Sequence, residues 1–474
     1  MADSSDLYLD IHNPEYMPRG EVVISELAAL KYRVENFNDG VIEGRNYRSK
    51  GGSRVVQVVS TDPYLANSPN EPAAWEGALR DAGLDCNGPF HLAAQVLADS
   101  FAGTESEKGG GQAASPMTPG LALLQDSRGV VGRRNPFNVA ASIERMYTLG
   151  FASSPAEEQG TTAADQWNRA TKARLEADPL LRVLDAGARN GLLSNFSEED
   201  RQSGAALGNP CLGSNTPFSW FRETWDRLTS PAWVEALPAR TWADWAMALI
   251  RSGLAFGYLW EIRWHQTIAR LVLQGGDQLR EVTWEGLVAE ANQRGPLIDW
   301  VDQSAPTGMR DLASKLKATC KTYAGLNEEV RTAFQSGTPT SVGEALRSAS
   351  EDQQHRERFK EALQPGSNEN CYELVRYMIL GGTTHGRHAE HYYLLRKVGP
   401  RFTIVDPATE WIAAITSLSM DAPGSETNLS AVSMSLRQLG LDPSTGELTK
   451  HLELAGLARG AHDADGAIVV RSAF

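Results

Sequence analysis

Three imidazoles lie within seven residues at His385, His388 and His391, inside Thr384-His385-Gly386-Arg387-His388-Ala389-Glu390-His391. On a helix, positions i, i+3 and i+6 share one side. With Glu390 or Asp406 they offer the nitrogen and oxygen donors that suit a tetrahedral zinc shell. The spacing is not H-E-x-x-H, no second ligand group is visible, and exposed or hydrogen-bonded histidines at a helix start are the simpler reading. The four cysteines, Cys86, Cys211, Cys320 and Cys371, are far apart and form no CxxC pair, so a disulfide framework or a cysteine-rich zinc site is not expected. Gly109-Gly110-Gly111-Gln112 lacks the Gly-Lys-Ser/Thr ending that sets a lysine on phosphates, and that ending occurs nowhere in the chain. An autonomous P-loop ATPase is therefore excluded. No Gly-x-Ser-x-Gly elbow occurs either. Triads assembled from distant residues stay open, but no catalytic motif is complete and no cofactor is implied. Glu261 and Arg263 interrupt the densest apolar stretch, where a structural role, reaching the helix surface or pairing with Arg251, Arg270 or Asp244, is the simpler reading.

The stretch Val183-Leu184-Asp185-Ala186-Gly187-Ala188-Arg189-Asn190-Gly191 resembles the first glycine motif of Rossmann methyltransferases. The surroundings do not supply the alternating strands and helices that such a fold needs, and Arg189 stands where a small residue belongs. A helix end with Gly187 as its C-cap fits the same residues.

A chain of 474 residues exceeds one core and implies two or three domains. The expected fold is mainly α, with a small mixed α/β N-terminal region and a C-terminal winged-helix-like α+β domain. The divisions fall at 1–102 (mixed), 103–120 (a flexible linker or loop), 121–365 (a helical, tryptophan-rich domain) and 366–474. In the first, residues 20–25 and 53–59 read as strands, with Asn38-Asp39-Gly40 as a turn between them. Two helices follow, opening near Asn70 and at Pro89. In the third, residues 138–149, 162–176 and 241–274 carry helical spacing. Gly253 and Gly257 in the last mark either a close helix approach or a kink. Nine of the twelve tryptophans lie between Trp220 and Trp300. That density fits an aromatic core or helix interface. A base-stacking platform would need Arg and Lys interleaved on the same face.

The C-terminal region reads as helices at 368–380, 386–398, 407–420, 428–439 and 446–455. A turn at His462-Asp463-Ala464-Asp465-Gly466 and a β run at 467–471 follow. Two short helices followed by a hairpin are similar to the winged-helix domain over about 70 residues. Residues 436–457 look like its helix–turn–helix, and Asp465-Gly466 looks like its wing turn. The resemblance implies a partner surface on the second helix, with Arg437, Lys450, His451, Arg459 and Arg471 as contact residues for nucleic acid or protein. Glu447 and Glu453 on that helix disfavour phosphate, because DNA affinity comes mainly from neutralising the backbone.

The formal net charge of -14 argues against coating nucleic acid or anionic membrane through the overall field. The first ten residues carry no signal-peptide pattern, and no apolar run approaches the roughly 20 residues that span a bilayer. The expectation is a cytoplasmic protein without a membrane anchor. The favoured function is a non-catalytic scaffold or adaptor that binds protein partner subunits in a multi-protein intracellular assembly. Its outline is similar to accessory subunits of bacterial DNA-processing or anti-phage defence systems. Two alternatives stay open: DNA binding through the C-terminal domain, and a metal-dependent enzyme using His385, His388 and His391.

Overall fold

The computed structural model describes residues 20–34, 37–38, 41–42, 47–50, 53–56, 115–123, 139–150, 161–192, 196–198, 212, 214–300, 308–335, 341–364, 370–381, 391–398, 402–459 and 468–474. They form a mainly helical protein with a few short strands. Among them, no helix is long and apolar enough to cross a membrane.

The N-terminal part begins with α1 (Gly20–Ala29), then β1 (Tyr32–Val34), β2 (Phe37–Asn38), β3 (Val41–Ile42), β4 (Tyr47–Lys50) and β5 (Ser53–Val56). Strands β2 and β3 pair antiparallel across positions 39–40, and β4 pairs with β5. The expected strand at 20–25 is instead the start of α1. Its β-branched residues favour a strand locally, but Val23, Ile24, Leu27 and Ala28 fall at helical spacing and are all buried. Tertiary burial overrides the local preference. The helices expected near Asn70 and Pro89 lie outside the described residues, as do positions 39–40.

Next come α2 (Pro119–Leu123), α3 (Val139–Leu149), α4 (Ala163–Ala177), α5 (Pro179–Leu192) and β6 (Phe196–Glu198), which pairs with β1. The end of the expected linker is packed rather than free, since Ser115, Met117 and Thr118 are buried. The glycine motif at 183–191 lies within α5, so Gly187 is neither a strand-to-helix turn nor a C-cap. Its Asp185 instead accepts a hydrogen bond from Gly120 N at 2.6 Å and holds the start of α2. Thr162 and Asp165 form a capping box on α4. The Glu144 carboxylate of α3 accepts from the two following amides, Ala163 N at 3.0 Å and Ala164 N at 2.8 Å.

The body is organised by α6 (Pro217–Leu228), α7 (Pro231–Ala236) and the 36-residue α8 (Ala239–Gln274). At 1.5 Å per residue α8 is about 54 Å long. Residues 252–262 of it are buried without interruption. A helix apolar on all sides must be surrounded, and α8 is. It packs on α1, α3 and α6, and on the elements that follow it: α9 (Trp284–Asn292), α10 (Gly308–Gln335), α11 (Val342–Glu351), α12 (Gln353–Ala362), α13 (Asn370–Ile379) and α14 (Thr409–Ser417). A 3-10 turn at Asp277–Glu281 leads from α8 to α9. Gly253 and Gly257 mark close approach. A Cβ at Gly253 would stand 2.8 Å from Phe221 Cδ2 and 3.0 Å from Met146 Sδ, and one at Gly257 would stand 3.2 Å from Phe218.

The tryptophans fill this core. Trp220, Trp225, Trp233, Trp242, Trp245, Trp260, Trp264 and Trp300 are buried, out of reach of a nucleobase. Trp260 and Trp264 stack at 5.4 Å, and Trp264 meets Trp284 at 4.8 Å. Several indoles also anchor backbone or side chains: Trp225 Nε1 donates to Ala163 O, Trp242 Nε1 to Leu228 O and Trp260 Nε1 to Asn292 Oδ1.

The C-terminal part adds the antiparallel hairpin β7 (Leu395–Val398) and β8 (Phe402–Val405), then α14, β9 (Glu426–Asn428), α15 (Leu429–Leu439), α16 (Thr445–Leu454), β10 (Ala458–Arg459) and β11 (Val469–Arg471). Residues 395–398 form a strand rather than the end of an expected helix at 386–398, because they pair with Phe402-Thr403-Ile404-Val405. The other helix boundaries fall close to expectation. Asn428 caps α15 through Ala431 N, Gly440 ends it with φ 113°, and Ser444 caps α16. Strand β11 lies between β10 and β9, antiparallel to both.

Candidate functional site

The C-terminal unit is built on two short helices. On α15, Leu429, Val432, Leu436 and Leu439 face inward. On α16, Leu448, His451 and Leu452 are buried. The outward face of α16 carries Gly446, Lys450, Glu453 and Leu454, with Thr449 half-buried beside them. It therefore combines one cation, one anion and one large apolar side chain. On β11 the alternation puts Val470 inward and Val469 and Arg471 outward.

Four of the five exposed large hydrophobic side chains among the described residues belong to this unit. They are Met434 (63% exposed), Leu454 (68%), Val469 and Phe474; the fifth is Tyr377. Single exposed apolar residues are ordinary; here they sit on α15, α16 and β11, with Phe474 packed edge-on against Trp245 of the body.

Two of the cations singled out from the sequence, Arg437 and Arg471, are engaged within the unit. Arg437 Nε donates to Asp442 Oδ1 at 2.7 Å. Arg471 Nε stands 2.7 Å from Glu426 Oε1 on the neighbouring strand. Both pairs are solvent-exposed, so each is worth less than about 1 kcal/mol, yet each offsets the charge that a phosphate would meet. Lys450 is exposed. Arg459 lies on β10 paired with Val469, and its side chain is outside the described residues. His451 is not the exposed contact residue expected: it is 6% exposed, with its ring 5.5 Å from Trp300. Its Nε2 is 3.9 Å from the Glu447 carboxylate, and burial pulls its pKa below the usual histidine value. Of the positions the sequence suggests as outward on α16, Lys450 and Glu453 are exposed, Glu447 and Thr449 are half-buried and His451 is buried, while the exposed Leu454 is not among them.

Of the three clustered histidines, His385 and His388 lie outside the described residues. His391 is exposed, with Nδ1 3.8 Å from Glu410 Oε1. Asp406, the offered fourth ligand, is paired with Arg396. Among the described residues, no group of three metal-ligating side chains is assembled.

The unit is joined firmly to the body. The αL residue Gly440, between α15 and α16, accepts at its carbonyl from Leu297 N at 2.7 Å and Ile298 N at 3.3 Å, and Ile298 bridges Leu441. Gln438 Nε2 donates to Ser219 Oγ at 3.0 Å and Glu223 Oε1 at 3.1 Å on α6. Arg227 reaches Leu418 O at 3.1 Å and Asp421 at 3.4 Å. Trp411 Nε1 of α14 donates to Ser252 Oγ inside α8 at 3.0 Å.

A second polar group sits in the body, where α8 meets α10 and α13. Glu261 and His265, one turn apart, are almost fully buried. Tyr323 stacks on His265 at 5.5 Å, and its phenol is pushed up by burial and by the Glu261 carboxylate. Burial, with Arg331 nearby, drives the His265 pKa down to about 3, so its imidazole is neutral at pH 7. Cys320 and Cys371 are buried free thiols; contact with the Cys320 thiol, together with burial, holds Cys371 well above its ordinary value. Such thiols are unreactive. Arg263 is structural, as expected, though by a different route. It donates to Gly295 O and Pro296 O at 2.6 Å each, and burial lowers it to about 10. Arg251 likewise donates to Tyr377 O, and Asp244 pairs with Arg240 instead.

No protein-family model and no curated protein matches the chain.

Proposed function

We propose that the chain is a non-catalytic scaffold or adaptor whose C-terminal unit docks a protein partner. The observation that carries this reading is the concentration of exposed Met434, Leu454 and Val469 on a unit whose Arg437 and Arg471 are paired with its own carboxylates. A protein contact is centred on apolar anchors within a polar rim. A DNA contact needs several uncompensated cations. The order helix, strand, two helices, strand, strand, with β11 central in the sheet, supports a winged-helix relationship for α14 to β11. Fold alone fixes neither kind of partner.

The test compares the full chain with its Met434→Asp/Leu454→Asp variant. Each is expressed in its native host and recovered with whatever it holds, in parallel with duplex DNA binding at low and moderate salt. The expected outcome is a stoichiometric protein partner on the wild type, absent from a variant of unchanged stability, with no steep salt dependence toward DNA. Tight DNA binding that falls steeply with salt and is lost in Lys450→Ala/Arg459→Ala/Arg471→Ala would overturn the proposal and make DNA the ligand of the same unit. Equal partner recovery by both proteins would move the docking surface elsewhere.

A further inference from the structure

We draw no further inference here: the strongest candidate, the buried cluster of Glu261, His265, Tyr323, Cys320 and Cys371 where α8 meets α10 and α13, rests on displaced pKa values alone, with no group of three metal-ligating side chains assembled among the described residues.

Discussion

Replacing His265 with Leu should change how the protein responds to acid more than how stable it is at neutral pH. His265 has no exposed surface, and neither ring nitrogen has a hydrogen-bond partner among the described residues. Its folded-state pKa is about 3, against 6.5 for an ordinary histidine. The unfolded chain takes up a proton as pH falls through 6.5, whereas the folded chain does not until near 3. The stability tied to this residue is therefore complete above about 6.5 and is lost as pH falls from there toward about 3. At about pH 5 the unfolded state has gained roughly 1.5 units of proton affinity at 1.36 kcal/mol each, or about 2 kcal/mol relative to neutral pH. Leu removes this term. At neutral pH it also removes an unpartnered polar group but forfeits the ring contact with Tyr323, so the two proteins should agree within about 1–2 kcal/mol. The assay is guanidinium chloride unfolding followed by tryptophan fluorescence, for both proteins at about pH 7.5 and about pH 5. Carboxyls with raised pKa values, such as Asp244 and Glu144, are common to both chains and cancel in the difference. The variant should gain about 2 kcal/mol on the wild type between the two pH values. Parallel losses would refute the reasoning, because they would mean that His265 is solvated or partnered when folded.

Asp244 predicts the opposite slope. Burial raises its carboxyl to about 6 despite Arg240, so its stability contribution is present at low pH and lost as pH rises from about 4 through about 6. Asp244→Asn should remove that loss, about 3 kcal/mol for a rise of about 2.2 units, seen as a smaller difference in Tm between acid and neutral buffer. Gly150→Ala should cost about 3 kcal/mol, because an added Cβ would stand 2.3 Å from the Phe218 carbonyl oxygen. Gly253→Ala should cost less in the same guanidinium chloride titration, which measures both variants, since it meets side chains and gains about 1 kcal/mol of helix propensity. Trp411→Phe should cost about 2 kcal/mol by stranding the buried Ser252 hydroxyl. If it leaves the midpoint unchanged, that bond does not secure α14 to α8.

The parts of the fold that could be read in advance are those governed by nearest neighbours. Thr162, Asn428 and Gly440 act as caps where their types demand it. The apolar face at 241–274 became a helix that buries Trp242, Trp245, Trp260 and Trp264, as its spacing suggests. Misreadings came where a distant partner decides the outcome. Residues 20–25 look like a strand until α8 covers them, with Gly20 fitted against Met247. Residues 395–398 look helical until β8 pairs with them, although Phe402-Thr403-Ile404-Val405, set between Pro400 and Pro407, was a signal for that partner. In the candidate site, periodicity places Lys450 and Glu453 outward on α16 but misses the exposed Leu454. It does not reveal that Trp300, 151 positions before His451 in the sequence, closes over His451. Ion pairing within the unit was hidden for the same reason: Arg471 and Glu426 become neighbours only through the β11–β9 register.

The attachment of Gly440 to Leu297 and Ile298 has a mechanical consequence. The turn between α15 and α16 is clamped by backbone hydrogen bonds rather than tethered by a linker, and Gln438 and Trp411 fasten the adjoining helices to α6 and α8. Leverage applied at Leu454 therefore passes into a helix about 54 Å long instead of being absorbed by a swivel. Whatever grips the C-terminal unit acquires a fixed bearing on the whole body, as a bracket sets the angle between the two pieces it joins.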